Sequence, residues 1–172
     1  MDDEHLMIDN LDGYLCEELI AKIMKKSGYK DVKVTPKSND KGKDIIMEDS
    51  DGNIILVECK HQKFVGRPIL QKLQGAMNHE GDHHPGKIVK GIIVTSGNFS
   101  KEAINYTKDI NQEIELIDGK KLKNLCKKLG ITILNGKVQI IHNTSFKNFS
   151  EEQTKEFSTK NYLKIYGSEK NK

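Results

Sequence analysis

Two acids and one lysine interrupt a stretch of the chain that otherwise has the composition of buried β-strands. The segment KDIIMEDSDGNIILVECKHQ, residues 43–62, places Asp44 before one apolar run, and Glu58 and Lys60 at the end of the next. Such a set suits metal-assisted phosphodiester hydrolysis, in which carboxylates hold a divalent cation and a lysine offsets developing charge. The same three residues also fit a plain cross-strand ion pair. Their chemistry therefore depends on how the two strands pair.

The residues between the two apolar runs predict a β-hairpin. DSDG is a typical turn sequence, and with Gly52 in the left-handed conformation the register sets Asp44 opposite Glu58. Because side chains alternate along a strand, Lys60 shares the face of Glu58. Opposed residues have Cβ atoms about 4.5–5.5 Å apart, which lets two carboxylates share one cation. A slip of one residue would turn Asp44 to the other face.

A helix predicted over residues 11–27 carries a third candidate acid. Helical spacing aligns Glu17 with Ile20 and Met24 on the core side, whereas Glu18 falls on the solvated side. Two explanations for Glu17 remain open. It lies near a metal or its water, or it is a helix-end carboxylate close to the positive end of the helix dipole.

Strands and helices alternate after the hairpin, which predicts parallel crossovers and an α/β domain with a central mixed β-sheet flanked by helices. Proline at the first turn indicates a helix over residues 68–78, and the polar residues 79–87 are expected to form a loop. An Asn-Gly turn predicts a hairpin over residues 131–141, and residues 150–166 have the pattern of a capped helix. We expect one main domain over residues 1–134 and a C-terminal extension of unknown role over 135–172.

Composition narrows the class of protein. The 172 residues carry a formal net charge of +3, contain no long apolar run and begin with an acidic segment unlike a signal peptide, so we expect a cytoplasmic protein without a membrane span. Three distant cysteines indicate neither a disulfide framework nor a zinc knuckle. Arg67 is the only arginine, which limits bidentate reading of guanine.

Basic residues follow the second strand of the hairpin and suit contact with a nucleic-acid backbone. The candidates are His61, Lys63 and Arg67, and a solvated loop is the alternative. The histidine-rich residues 79–84 fit a mobile loop better than a second metal site. The segment VTSGNFS precedes a helix but lacks the Gly-Lys-Ser/Thr of a P-loop, so no nucleotide cofactor is expected.

The ordered segments of the chain resemble the Mrr-like restriction endonuclease domain, a branch of the PD-(D/E)xK nuclease superfamily. The resemblance spans residues 11–130 and rests on CEELIAKIMKKSGY, NDKGKDII, ILVECKHQ, VGRPILQKLQGAM, GIIVTSGNFSKEA and IELIDGKKL. It implies a restriction-endonuclease-like fold and a Mg²⁺-dependent DNA endonuclease, with Mn²⁺ as a possible substitute. DNA is the implied partner, and a homodimer is expected if both strands are cut.

The resemblance also implies roles for individual residues. Asp44, Glu58 and the backbone carbonyl of Cys59 correspond to metal ligands, and Lys60 corresponds to the catalytic lysine. Glu17 corresponds to the helix acid, although Cys16 stands where the family usually has phenylalanine.

The resemblance further implies a glutamine near the site, on the helix after the catalytic strand. Gln71 is preferred to Gln74, and a surface glutamine is the alternative. Two other functions stay open: a structure-selective nuclease such as a Holliday-junction resolvase, and an inactive DNA-binding module.

Overall fold

A computed structural model of the chain describes residues 13–36, 42–134 and 137–140. The predicted helix over 150–166 lies outside them. The elements are α1 Gly13–Lys26, β1 Lys30–Val34, β2 Ile45–Glu48, β3 Ile54–Lys60, β4 Phe64–Val65, α2 Arg67–His83, β5 Val89–Thr95, β6 Asn98–Phe99, α3 Lys101–Asp109, β7 Ile114–Ile117, α4 Gly119–Leu129, β8 Ile131–Leu134 and β9 Lys137–Ile140.

The central sheet has the order β1-β2-β3-β5-β7. Its first three strands pair antiparallel, and β3, β5 and β7 pair parallel. Helix α2 connects β3 to β5, and α3 connects β5 to β7, as short crossovers require. The prediction of a mixed sheet flanked by helices is confirmed, and the carboxyl ends of the parallel strands meet at one edge.

Strand β3 runs through the middle of the molecule and is buried on both faces over most of its length, as expected of a central strand between helix layers. Its alternating residues enter two different cores. Ile55 and Val57 pack with apolar residues of α1 and α4, whereas Ile54 and Leu56 pack with those of α2 and α3. Residues at even positions of β3 therefore face the α2 side.

Helix α2 is longer than predicted, because residues 79–83 continue it instead of opening a loop. The polar composition of this segment indicated a loop, but Glu80 points inwards and is 9% exposed. Its carboxylate pairs with Lys43 at 2.5 Å and with His84 at 3.2 Å. These contacts stabilise the five further helical residues, which intrinsic propensity alone would not favour.

Strands β8 and β9 form the predicted hairpin. Val138 of β9 is buried in the core that α1 helps to form, and its carbonyl accepts a hydrogen bond from the Lys22 ammonium at 3.0 Å. The start of the C-terminal extension therefore packs on the body of the domain. The division at residue 134 stays a prediction.

Candidate active site

The β2–β3 hairpin has the expected register. Ile45 pairs with Val57 at one end of the ladder and Glu48 pairs with Ile54 at the other. In the turn, Gly52 has a φ of +79°, the left-handed conformation that glycine adopts without strain. Continuing the ladder by one residue sets position 44 opposite position 58.

Asp44 is held by three hydrogen bonds of 2.7 Å. Its amide donates to the Val57 carbonyl, and its own carbonyl accepts from the Thr35 amide. Its side-chain Oδ2 accepts from the Cys59 amide. The Asp44 carboxylate thus binds the Cys59 amide, which lies just beyond the β2–β3 ladder. This hydrogen bond holds the carboxylate beside the end of β3.

Glu58 is a carboxylate that the fold buries almost completely, at 2% exposure. Burial raises its pKa, and the charge of Asp44 raises it further. Lys60 opposes both effects through a contact of 2.6 Å between its Nζ and Glu58 Oε1, and the charge of Lys72 lowers the pKa as well. The net shift is upward, so burial and the charge of Asp44 together outweigh the two lysines.

Glu17 and the two neighbouring cysteines lie on the α1 side. Burial raises the pKa of the Cys16 thiol to about 11, with smaller contributions from the charges of Asp44 and Glu17. Burial also raises the pKa of Cys59 well above its usual range, and the charges of Cys16, Asp44, Glu17 and Glu58 add to this. The charges of the three predicted acids therefore all raise the pKa of Cys59 at the end of β3. Glu17 acts from the α1 side, whereas Glu58 lies on the face of β3 that packs on α2.

Gln71 lies exposed near the start of α2, and the next residue, Lys72, was not among the predicted site residues. Lys72 acts electrostatically on Glu58. Nothing in its sequence position distinguishes it from other surface lysines, because the approach of α2 to β3 is a tertiary property.

Lys43 and Glu80 were also missed, although a sequence signal for Glu80 exists. Leu73, Met77 and Glu80 recur at helical spacing, which puts the acid on the buried face of α2. Its pKa is lowered: burial acts in the opposite direction, but the Lys43 hydrogen bond and the charges of Lys43 and His84 outweigh it. The pair ties the residue before Asp44 to α2.

The predicted nucleic-acid contacts lie just beyond β3 and are exposed. His61 Nδ1 lies 3.0 Å from the Ser96 hydroxyl. The Lys63 ammonium is 5.9 Å from the centroid of the Phe64 ring, and Phe64 is itself 60% exposed. The Arg67 guanidinium stacks 4.8 Å from the Tyr106 ring. These three side chains are accessible just beyond β3.

The donor set at the site is small and oxygen-rich. In the described ranges, no three His, Cys, Asp or Glu side chains are grouped closely enough to hold a metal ion. The candidate ligands are instead two carboxylates, Asp44 and Glu58, and the backbone carbonyl of Cys59. Oxygen donors of this kind suit Mg²⁺, which usually keeps several water ligands and one or two carboxylates. The buried acid with a raised pKa also fits a cation, which would favour its charged form.

The family model Mrr_cat, restriction endonuclease, matches residues 8–126. No curated protein sequence gives a significant match. No helix in the described part of the chain has the length and apolar character needed to cross a membrane.

Similar solved structures include the following three. The MspJI restriction endonuclease in complex with a 27-mer oligonucleotide is 22% identical, with a TM-score of 0.49 over 66% of this chain and 26% of that one. AF1548, a protein of unknown function, is 16% identical, with a TM-score of 0.58 over 90% of this chain and 98% of that one. The DNA modification-dependent restriction endonuclease AspBHI is 16% identical, with a TM-score of 0.52 over 66% of this chain and 30% of that one.

The likenesses to AF1548 and AspBHI show a shared fold. The chain spans about a quarter of the length of the MspJI chain that it matches. These likenesses therefore do not determine the activity or the substrate of this chain, which depend on the residues of its own site.

Proposed function

The chain belongs to the restriction endonuclease family, whose model covers more than half of it, and from this premise we propose that it hydrolyses phosphodiester bonds in DNA with the help of Mg²⁺. The observation that carries the proposal is Glu58, a buried carboxylate with a raised pKa beside Asp44 and Lys60. A site that served only stability would not be expected to retain a carboxylate whose charge is unfavourable there.

In this proposal, Asp44, Glu58 and the carbonyl of Cys59 hold the cation, and Mn²⁺ can replace Mg²⁺. A divalent cation held there would stabilise the charge on the scissile phosphate and acidify the attacking water. Asp44 is suited to this because the Cys59 amide occupies Oδ2 and fixes the carboxylate plane.

Lys60 is the proposed catalytic cation. Its ammonium contacts Glu58 at 2.6 Å and its side chain is 28% exposed, so it lies between the buried acid and solvent. From there it can contact a phosphate oxygen and offset the charge that develops during attack. Glu17 is proposed to orient a water molecule from the α1 side, and Gln71 to contact the substrate from α2.

The exposed His61, Lys63 and Arg67 are proposed to follow the DNA backbone beyond the site. Cutting both strands of a duplex requires two sites, so we propose a homodimer as the form that makes double-strand breaks. Sedimentation of the protein with and without duplex DNA tests this part separately.

The experiment compares wild-type protein with Asp44→Asn and Lys60→Met on supercoiled, linear, methylated and branched DNA, with Mg²⁺ and with chelator. Asparagine keeps an acceptor for the Cys59 amide, so Asp44→Asn changes charge with little change in backbone contacts. Lys90→Met is the matched control, because Lys90 also lies on a strand, is 22% exposed and pairs with Glu113 at 3.0 Å.

We expect wild-type protein and Lys90→Met to cut in a metal-dependent way, and both site variants to lose cutting by at least about a hundredfold. Cutting confined to branched DNA would assign the protein to the junction-resolving nucleases. Wild-type protein that binds these substrates but cuts none of them, with Mg²⁺ or Mn²⁺, would contradict the proposal and identify a binding module.

A further inference from the structure

A groove runs along helix α2 next to the candidate active site. Its volume is about 220 Å³, and it is lined by Lys43, Lys72, Gly75, Ala76 and His79. This space is several times larger than a single water molecule needs. The predicted site residues do not include any of these five.

The shape of the groove follows from the spacing of its residues. Positions 72, 75, 76 and 79 share one face of a helix, and Gly75 and Ala76 form a low floor because they have little or no side chain. A Cβ at Gly42 would lie 3.1 Å from Lys72 Cγ and 3.2 Å from the Lys72 carbonyl oxygen. Gly42 therefore lies directly on α2, and Lys43, the next residue, lines the groove opposite the helix.

The charge of the groove is positive at its surface. Lys72 contributes an exposed ammonium group, and Lys43 contributes a second one that is paired with Glu80. Glu80 beside the groove pairs with Lys43 at 2.5 Å and with His84 at 3.2 Å, so the positive charge of the groove rests mainly on Lys72. The charge of Lys72 also lowers the pKa of Glu58. The same ammonium group therefore acts on both the groove and the candidate active site.

We propose that this groove binds a backbone phosphate of the DNA strand being cut, next to the scissile phosphate. The inference rests on the proposed function and adds a second point of contact to it. A low floor lets the sugar-phosphate chain approach the helix, and lysine ammonium groups bind phosphate as point charges without reading sequence. Such a contact suits a chain that has a single arginine for reading base edges.

The test introduces a charge at the floor of the groove. In Gly75→Glu the new side chain meets open space, since a Cβ at Gly75 has no heavy atom within 4 Å, and the change improves helix propensity. Gly75→Ala is the reference, with a comparable effect on the helix and no charge. Lys72→Met removes the ammonium but keeps the aliphatic stem that contacts the loop.

Lys25→Met is the control for general charge effects. Lys25 is exposed on α1, which packs on the other side of the sheet. Binding of the full chain to a fluorescein-labelled DNA duplex is measured by anisotropy at several salt concentrations, with chelator present so that no metal-dependent cutting occurs.

One lost phosphate contact lowers the slope of log affinity against log salt by about 0.9, which corresponds to about eightfold weaker binding at about 0.1 M salt. We expect this loss for Lys72→Met, and at least as large a loss for Gly75→Glu relative to Gly75→Ala. Lys25→Met should keep the wild-type slope.

Unchanged slopes for both Lys72→Met and Gly75→Glu would overturn the groove proposal, even if wild-type protein cuts DNA. If the slopes change but no metal allows cutting, the groove stands and the nuclease proposal fails. The two failures are thus distinguishable.

Discussion

Replacing Glu58 with glutamine should stabilise the metal-free protein at neutral pH while removing its activity. The carboxylate is 2% exposed, and burial together with the charge of Asp44 raises its pKa by more than Lys60 and Lys72 lower it. A charged Glu58 therefore costs free energy in the folded state. Glutamine has nearly the same volume, carries no charge and still offers an oxygen to the Lys60 ammonium.

The sign of the pH dependence follows from the direction of the shift. The pKa of Glu58 is raised above its ordinary value of 4.5 in the folded state. The free energy of unfolding of wild-type protein, relative to that of Glu58→Gln, is therefore highest below about pH 4.5 and falls as pH rises through the folded pKa. For one group this loss cannot exceed about 1.36 kcal/mol per pH unit. The difference in free energy of unfolding between the two proteins should be constant at acidic pH, change between pH 4.5 and the folded pKa, and be constant again above it.

A divalent cation should reverse the order of stability. If Glu58 is a ligand, Mg²⁺ at ten times its dissociation constant adds about 1.4 kcal/mol to the free energy of unfolding of wild-type protein. Glu58→Gln should gain much less. The same ion then changes a costly carboxylate into a stabilising one.

Urea unfolding followed by far-ultraviolet circular dichroism, in steps from acidic to neutral pH, measures both effects with Mg²⁺ or chelator. Glu113→Gln is the control, because the Glu113 side chain is 68% exposed and also pairs with a lysine. If the free energy of unfolding of wild-type protein rises relative to that of Glu58→Gln as pH rises, attraction to Lys60 outweighs burial. The charged form of Glu58 would then be favourable in the folded state, contrary to the prediction. If Mg²⁺ stabilises both proteins equally, Glu58 is not a ligand.

Two further substitutions test the packing around the site. Glu80→Gln should lower the free energy of unfolding in urea by about 1 kcal/mol at neutral pH, because it weakens the largely buried ion pair with Lys43. Since the pKa of Glu80 is lowered, this difference should shrink as pH falls, and a difference that grows in acid would contradict the assignment. Gly119→Ala should cost about 3 kcal/mol, because its Cβ would lie 2.1 Å from the Ser96 carbonyl oxygen. Gly75→Ala, which meets no atom within 4 Å, is the control for thermal unfolding, and equal melting temperatures would refute the clash.

The hairpin could be predicted because its determinants are local. Side chains alternate between the two faces along a strand, and the DSDG turn specifies the register. The observed pairing of Ile45 with Val57 follows from these two signals. The start of α3 also depends on a local contact, because the Ser100 side chain accepts from the Ala103 amide at 3.1 Å, as an N-cap does.

The contacts around α2 could not be predicted because they join distant parts of the chain. Lys43 and Glu80 are 37 residues apart, and only the packing of α2 on the sheet brings them together. The same contact extends the helix through a segment whose composition favours a loop. Lys72 was missed for a related reason, since its effect on Glu58 depends on how α2 approaches β3.

Asp44 shows why function and fold are hard to separate at this site. Its Oδ2 accepts from the Cys59 amide at 2.7 Å, and its amide donates to Val57 at the same distance. The carboxylate therefore closes the end of the β2–β3 ladder as well as serving as a proposed ligand. Truncation to alanine would leave the Cys59 amide without this acceptor, at a cost of about 1–3 kcal/mol if the amide is shielded from water. Lost activity in that variant would not distinguish a missing ligand from a displaced strand, whereas Asp44→Asn keeps the acceptor and changes the charge alone.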